Sequence, residues 1–176
     1  MNLPGEITFS ITEGDHYALY KLMFHRSLKV PKLALMLAVP LAALSILFNV
    51  LLERPLLDGL IPIFVGIAVG SATVGILFAS LKPRARKIYQ ESASLKEEMA
   101  LVYEDNGFRI EQPSGLWRVQ WQQLARWDEN SAIFAVFPNR AMAIIIPKQQ
   151  VSEGVINFMR NQMMQSGLER PWRLRK

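Results

Sequence analysis

The side chains that most often carry out chemistry in proteins are sparse in this chain. There is no cysteine, which excludes a thiolate nucleophile, a disulfide framework and a thiolate metal site. The histidines, His16 and His25, lie more than two helical turns apart on one predicted helix, too far for a shared metal. His16 beside Asp15 is typical of a solvated helix start. The motifs HExxH, GxxxxGKS/T and GxSxG are missing, so we expect no enzyme activity, cofactor or metal.

Aromatic residues are concentrated in LWRVQWQQLARW, residues 116–127, and could stack on nucleic acid if they were exposed within a basic field. The nearest cations, Arg118 and Arg126, have Asp128 and Glu129 beside them. From residue 95 to the end of the chain there are 11 basic and 9 acidic residues. This balance is too even for nucleic acid, which we do not expect as a partner.

The spacing of the three tryptophans indicates a core instead. Trp117 and Trp121 fall on one face of a strand with a period of two, and Trp127 follows after a short connecting segment. We therefore predict that all three belong to the core of a small sheet domain.

Two basic clusters are candidate contacts for anionic lipid headgroups. They comprise Lys82, Arg84, Arg86 and Lys87, and, at the end of the chain, Arg170, Arg173, Arg175 and Lys176. The alternatives are that the first cluster only orients the protein in a membrane and that the second is a solvated tail.

Two long uncharged runs dominate the first half of the chain, at residues 33–52 and 59–81. Twenty residues rise about 30 Å as a helix, the thickness of a bilayer core, so each run can span a membrane. Only six residues separate them, which predicts a transmembrane helical hairpin. Basic residues flank the pair on its outer sides, and the positive-inside rule then places both termini in the cytoplasm.

Small residues on the second run form a candidate helix-packing face, made of Gly66, Gly70 and Gly75. Such spacing lets two helix backbones approach closely. The face is predicted to pack on the first span, with a homodimer as the alternative.

The remaining segments predict strands and helices on the cytoplasmic side. EITFSIT alternates as a half-buried strand, and Thr12 with Asp15 can cap a helix that is amphipathic along the membrane surface. A juxtamembrane helix is expected over residues 82–99. Short strands should follow, with turns at 105–107, 113–115, 129–131 and 138–140.

The last predicted helix closes this domain. Ser152 is its candidate N-cap, Gly167 is its C-terminal stop, and an apolar stripe runs between them. The stripe comprises Val155, Ile156, Met159 and Met163.

These segments together resemble the YcxB-like family of bacterial membrane proteins. The resemblance is carried by ITFSITEGDHYAL, YEDNGFRIEQPSG, WRVQWQQLARW and IIIPKQQVSEGVINFMRNQM. It implies a strand and polar helix, then two transmembrane helices, then a small C-terminal domain similar to bacterial pleckstrin-homology-like (PH-like) folds. It brings no catalytic residue, and it does not explain the tail ERPWRLRK.

We therefore expect an α+β membrane protein, with a two-helix transmembrane hairpin and a small antiparallel β (PH-like) cytoplasmic domain closed by a C-terminal helix. The predicted segments are 1–32, 33–81, 82–99, 100–168 and a basic tail, 169–176. The expected location is the bacterial inner membrane. The expected function is non-catalytic binding of another protein as a scaffold, regulator or immunity factor; alternatives are anionic-lipid sensing or an accessory role in a transporter.

Overall fold

The computed structural model describes residues 6–27, 40, 43–52, 60–104, 106–139, 141–169 and 171, without the side chains of residues 27 and 60–63. The described part is an α+β protein with antiparallel sheets, as predicted. It consists of two units, one of Met1–Leu22 with Lys82–Lys176 and the other of Met23–Leu81. Both sheets belong to the first unit, and the apolar runs belong to the second.

The larger sheet has four antiparallel strands in chain order. They are β1 (Glu6–Ser10), β2 (Glu98–Glu104), β3 (Gly107–Gln112) and β4 (Gly115–Gln120). Strand β1 pairs along its length with β2, with Phe9 opposite Met99. The segment 1–32 is therefore not separate from the domain predicted over 100–168, because its strand forms one edge of that domain's sheet.

Gly107 is required at the start of β3 by a close approach of backbones. It is buried opposite Gln120, and a Cβ at this position would overlap the carbonyl oxygen of Val119. The Asn-Gly pair lies where the turn was predicted, but the turn ends before Gly107, which is the first residue of β3 and pairs with Glu104.

The smaller sheet contains three antiparallel strands. They are β5 (Arg126–Glu129), β6 (Ile133–Phe137) and β7 (Ile144–Pro147). Every residue of β6 is buried. The prediction of a turn beginning at Glu129 is wrong, because Glu129 is the buried last residue of β5 and Asn130 begins the turn, accepting hydrogen bonds from the amides of Ala132 and Ile133 at 2.9 Å.

The C-terminal helix of the described chain, α5 (Glu153–Gln165), confirms the predicted apolar stripe. Its buried residues are Val155, Ile156, Met159 and Met163. Gly167 has a φ of 82°, and the amide of Leu168 bonds to the carbonyl of Met163 at 3.0 Å. This is the Schellman type of helix end, in which glycine adopts the left-handed conformation at little cost. Ser152 is at the N-cap but its side chain makes no capping hydrogen bond.

The second unit contains apolar helices. Residues 43–51 are helical (α2), and α3 (Leu60–Ala79) is followed by α4 (Leu81–Glu91), which belongs to the first unit from Lys82 onward. The helical stretch Phe64–Glu91 is long and apolar enough to cross a membrane. Of the predicted first span, 33–39 and 41–42 lie outside the described residues, as does the connecting loop 53–58.

The juxtamembrane helix ends earlier than predicted. Helix α4 stops at Glu91, Ser92 has extended backbone angles, and a short 3-10 turn occupies Ala93–Lys96 before β2. The mixed charges up to residue 99 are compatible with a helix, but pairing of β2 with β1 already begins at Glu98.

Helix α1 (Glu13–Ser27) begins with the predicted cap. The Thr12 amide donates to the Asp15 carboxylate at 3.0 Å, and the Asp15 amide donates back to the Thr12 hydroxyl at 3.2 Å. The prediction that His16 is solvated is wrong. Its side chain is buried, and Nδ1 lies 3.0 Å from the carbonyl oxygen of Ala85. Within the first unit the helix buries Ala18, Leu19 and Leu22, whereas Tyr17 and Tyr20 are only half-buried.

The predicted helix-packing face is open at two of its three positions. A Cβ at Gly70 or Gly75 would meet no atom within 4 Å among the described residues, and Gly66 is half-buried. The close approach of the first span is therefore not seen at Gly70 and Gly75 in this part of the chain.

Candidate functional site

Strand β4 lies at the edge of the larger sheet and carries two large apolar side chains that are exposed. Leu116 is 59% exposed and Trp117 is 45% exposed. In the described chain, β4 pairs only with β3. We call residues 115–120 with this free side the β4 edge. Strand edges with exposed apolar side chains are ready to pair with another chain unless they are covered.

The placement of Trp117 in the core is wrong, although its predicted face is correct. Trp117 lies opposite Ile110, which is buried, and two positions along the same face Val119 is buried as well. The described core covers the Val119 end of β4 and leaves the Trp117 end uncovered. An alternating pattern identifies the face of a strand but does not show how far along it the covering element extends.

Hydrogen bonding fixes which backbone groups of β4 face outward. Asn106 and Trp121 extend the β3–β4 ladder, and the amide of Trp121 donates to the carbonyl of Asn106 at 3.0 Å. Because hydrogen-bonded and non-hydrogen-bonded pairs alternate in antiparallel sheets, Trp117 also uses its backbone groups toward β3. The backbone groups of Leu116, Arg118 and Gln120 therefore point to the free side.

Charged side chains beside the β4 edge form ion pairs within the sheet. Arg118 Nε lies 3.1 Å from the Glu104 carboxylate, and Arg109 lies 3.5 Å from the same oxygen and 2.6 Å from Glu111. These pairs are partly exposed, so each contributes little stability. Their effect at the edge is to balance the charge of Arg118.

The basic cluster on α4 is solvent-facing as a group. Lys82, Arg84, Arg86 and Lys87 are all exposed, while Leu81 and Ala85 on the other side are buried. Arg86 lies 3.6 Å from Glu13, and Lys87 lies 3.9 Å from Glu91. Lys82 and Arg84 have no ion-pair partner among the described residues. The second predicted cluster, Arg170, Arg173, Arg175 and Lys176, lies outside the described residues.

Trp121 and Trp127 lie in the core, as predicted. Trp121 is 4% exposed and begins a 3-10 turn, Trp121–Gln123, with its ring centroid 5.2 Å from that of Phe108. Trp127 lies on β5, where its indole stacks on Phe134 at 5.4 Å.

A buried ion cluster that the sequence does not predict joins β5 to α5. Glu129 accepts two hydrogen bonds from the Arg160 guanidinium, at 2.8 and 2.6 Å, and pairs with Lys148. Arg160 also reaches Glu153 on its own helix at 2.9 Å. Burial raises the pKa of Glu129, but hydrogen bonds from Arg160 and Lys148 outweigh it and hold that pKa below its usual value. The hydrogen bond to Glu129 in turn raises the pKa of Arg160.

The residues that could have done chemistry are engaged in structural contacts. His16 is bonded to Ala85, and Glu129 is held between two cations. Within the described ranges no group of three or more His, Asp or Glu side chains is arranged to hold a metal ion.

The fold defines the class of this protein. Over the residues that the structure describes, it is an α+β protein with two antiparallel sheets and a helix that is long and apolar enough to cross a membrane.

Residues 103–163 match the family model described as YcxB-like protein. The predicted resemblance is thus confirmed over β3 to β7 and most of α5. No curated protein matches the chain.

Proposed function

We propose that this protein is a non-catalytic, membrane-anchored protein whose α+β domain binds another protein through the β4 edge. The observation that carries the proposal is the exposure of Leu116 and Trp117 on a strand whose second side pairs with none of the described residues. An extended segment can add to such an edge by backbone hydrogen bonds, and neighbouring side chains then select the partner. Tryptophan is enriched among the residues that dominate binding energy at protein interfaces.

The anchor in this proposal is a two-helix hairpin in the bacterial inner membrane, with both termini in the cytoplasm and a PH-like domain there. The distribution of polar and apolar side chains on α2 supports this membrane anchor. Ser45 and Asn49 are buried and linked, with the Asn49 side chain donating to the Ser45 carbonyl at 2.8 Å. Large apolar side chains such as Leu47 and Phe48 are exposed on the same helix. A helix whose apolar side chains are exposed and whose polar side chains are buried suits a lipid surrounding.

Cross-linking from the β4 edge in native membranes tests the proposal. A photoreactive amino acid at Leu116 of the full chain should form a discrete adduct with a protein. Trp117→Lys in the same chain should lower the adduct yield about tenfold, because an aromatic anchor at an interface contributes at least 1 to 2 kcal/mol.

The control places the photoreactive group at Gln122, which is exposed just beyond β4. If binding is specific to the β4 edge, the photoreactive group at Gln122 should form no adduct. If both positions give the same adducts, or if Trp117→Lys has no effect, the β4 edge is not the binding surface.

Anionic-lipid binding is a second candidate function, favoured by the exposure of Lys82 and Arg84 without ion-pair partners in the described chain. Each cation near an anionic surface contributes about 1 kcal/mol. The double variant Lys82→Gln/Arg84→Gln should therefore retain about thirtyfold less phosphatidylglycerol than the unmodified protein during purification in detergent.

The matched control for lipid retention is Lys96→Gln, which removes an exposed cation outside α4. Equal lipid retention by the double variant and this control would contradict lipid binding by α4.

A further inference from the structure

We propose that the partner at the β4 edge is a second copy of this chain, joined by antiparallel pairing of the two β4 strands into one continuous sheet. This inference rests on the proposed function and names the partner of the same surface. It is derived from the pattern of exposed side chains, backbone groups and charges along residues 115–120.

A twofold axis perpendicular to the sheet relates the two copies. Such an axis keeps the same face of the sheet on the same side in both copies. A side chain on one face of the sheet must then lie opposite a side chain on that same face in the second copy. A slip by one residue would place side chains of opposite faces against each other, so it is not allowed. Registers are therefore centred on a residue, and the candidates near the middle of the exposed stretch are Leu116, Trp117 and Arg118.

Centring on Trp117 places the two exposed indoles opposite each other and uses the outward backbone groups of Leu116 and Arg118. Trp117 bonds toward β3, so Trp117 and the second copy's Trp117 form a non-hydrogen-bonded pair, in which side chains approach most closely. The neighbouring pair is Leu116 with the second copy's Arg118. Both have outward backbone groups, so this pair and its symmetry mate supply four hydrogen bonds.

Charge disfavours centring on Arg118, and centring on Leu116 would place each Trp117 opposite Gly115, which has no side chain to cover the indole. Centring on Arg118 would place two arginines directly opposite each other, and like charges in this position are destabilising. Centring on Trp117 sets the aliphatic part of Arg118 beside the exposed Leu116 of the second copy. The guanidinium keeps its pairing with Glu104 at 3.1 Å in its own chain. The indoles then cover each other, and the balanced charge of the edge does not repel a second copy.

Disulfide trapping in the full chain tests this register, because the protein contains no cysteine of its own. Leu116→Cys and Arg118→Cys chains carrying different tags are expressed together and oxidised in the membrane. Directly opposed residues lie about 5.5 Å apart between Cα atoms, within the range for a disulfide. We expect a disulfide-linked species containing both tags.

Each variant expressed alone is the matched control. In the proposed register the two copies of residue 116, or of residue 118, are offset by two positions and about 8 Å apart, too far for a disulfide. Random collision would instead link these exposed single variants as readily as the mixed pair. Trp117→Lys, added to both chains, should lower the yield of the mixed species about tenfold, whereas Gln123→Lys should not.

Failure of this inference is distinguishable from failure of the proposed function. If the mixed pair links no better than the single variants, no second copy pairs in this register and the inference is overturned. If photo-cross-linking from Leu116 still gives an adduct with a different protein that depends on Trp117, the proposed function stands. If neither the mixed disulfide nor the Trp117-dependent adduct forms, both the inference and the proposed function are overturned.

Discussion

Replacing Glu129 by glutamine is expected to lower the free energy of unfolding by about 3 kcal/mol. The side chain of Glu129 is 3% exposed and is the common acceptor for Lys148 and Arg160. Glutamine has nearly the same shape but no charge. Among the described residues, Lys148 would then keep no counter-charge, and Arg160 would keep only the exposed Glu153. Breaking a buried ion pair on one side costs more than the pair contributes in total, because the remaining charge stays desolvated.

The pH dependence of stability should change with the same substitution. The pKa of Glu129 is lower in the folded protein than its ordinary value of 4.5. A carboxyl group whose folded pKa is depressed stabilises the fold fully above the unfolded pKa, and this contribution is lost as the pH falls through the folded pKa. The difference in stability between Glu129→Gln and the unmodified protein should therefore be largest near neutral pH. Below pH 4.5 the variant should lose less further stability than the unmodified protein.

Denaturant unfolding of the full chain in detergent, followed by tryptophan fluorescence, measures both effects. Glu153→Gln is the matched control: it removes another carboxylate bonded to Arg160, but that side chain is 68% exposed. We expect it to change stability by less than about 0.5 kcal/mol. Equal destabilisation by the two variants would show that the buried position of Glu129 confers no special importance.

Local patterns in the sequence were sufficient to predict several elements of this fold. The capping residues Thr12 and Asp15, the Asn-Gly turn and the stripe ending at Met163 each act within one turn or one helix. Their geometry depends on neighbours a few residues away, so it can be inferred without knowing the tertiary structure.

Features formed by distant residues could not be predicted in this way. Strand β1 joins β2 across more than 80 residues of intervening chain, and its alternation alone does not identify its partner. The composition of β5 does not identify it as a strand that includes Glu129, because it has four residues and ends in two acids, which favour a turn. Glu129 is stabilised there only because Lys148 and Arg160 reach it from later in the chain.

The tryptophans show the same limit within a single strand. A period of two places Trp117 and Val119 on one face, yet only the second is buried. Burial depends on where the opposing elements end, which the strand's own sequence does not contain. The tryptophan expected inside the sheet is instead an exposed residue of the β4 edge.

Trp121→Ala is expected to lower the free energy of unfolding by about 4 kcal/mol, whereas Trp117→Ala should lower it by less than about 1 kcal/mol. The Trp121 ring is 4% exposed and lies 5.2 Å from Phe108 and 6.4 Å from Phe158, measured between ring centroids. Alanine there would leave a large cavity between the sheet and α5. The same truncation at Trp117 would remove a side chain that is 45% exposed.

Trp121→Phe separates packing from hydrogen bonding at this position. The indole nitrogen of Trp121 is buried and has no hydrogen-bond partner in the described chain. Phenylalanine removes this unpaired donor, which offsets part of the lost packing, so its cost should be clearly below that of alanine. Denaturant unfolding of the three variants in detergent measures the order. Equal losses for Trp117→Ala and Trp121→Ala would contradict the assignment of one tryptophan to the core and the other to the β4 edge.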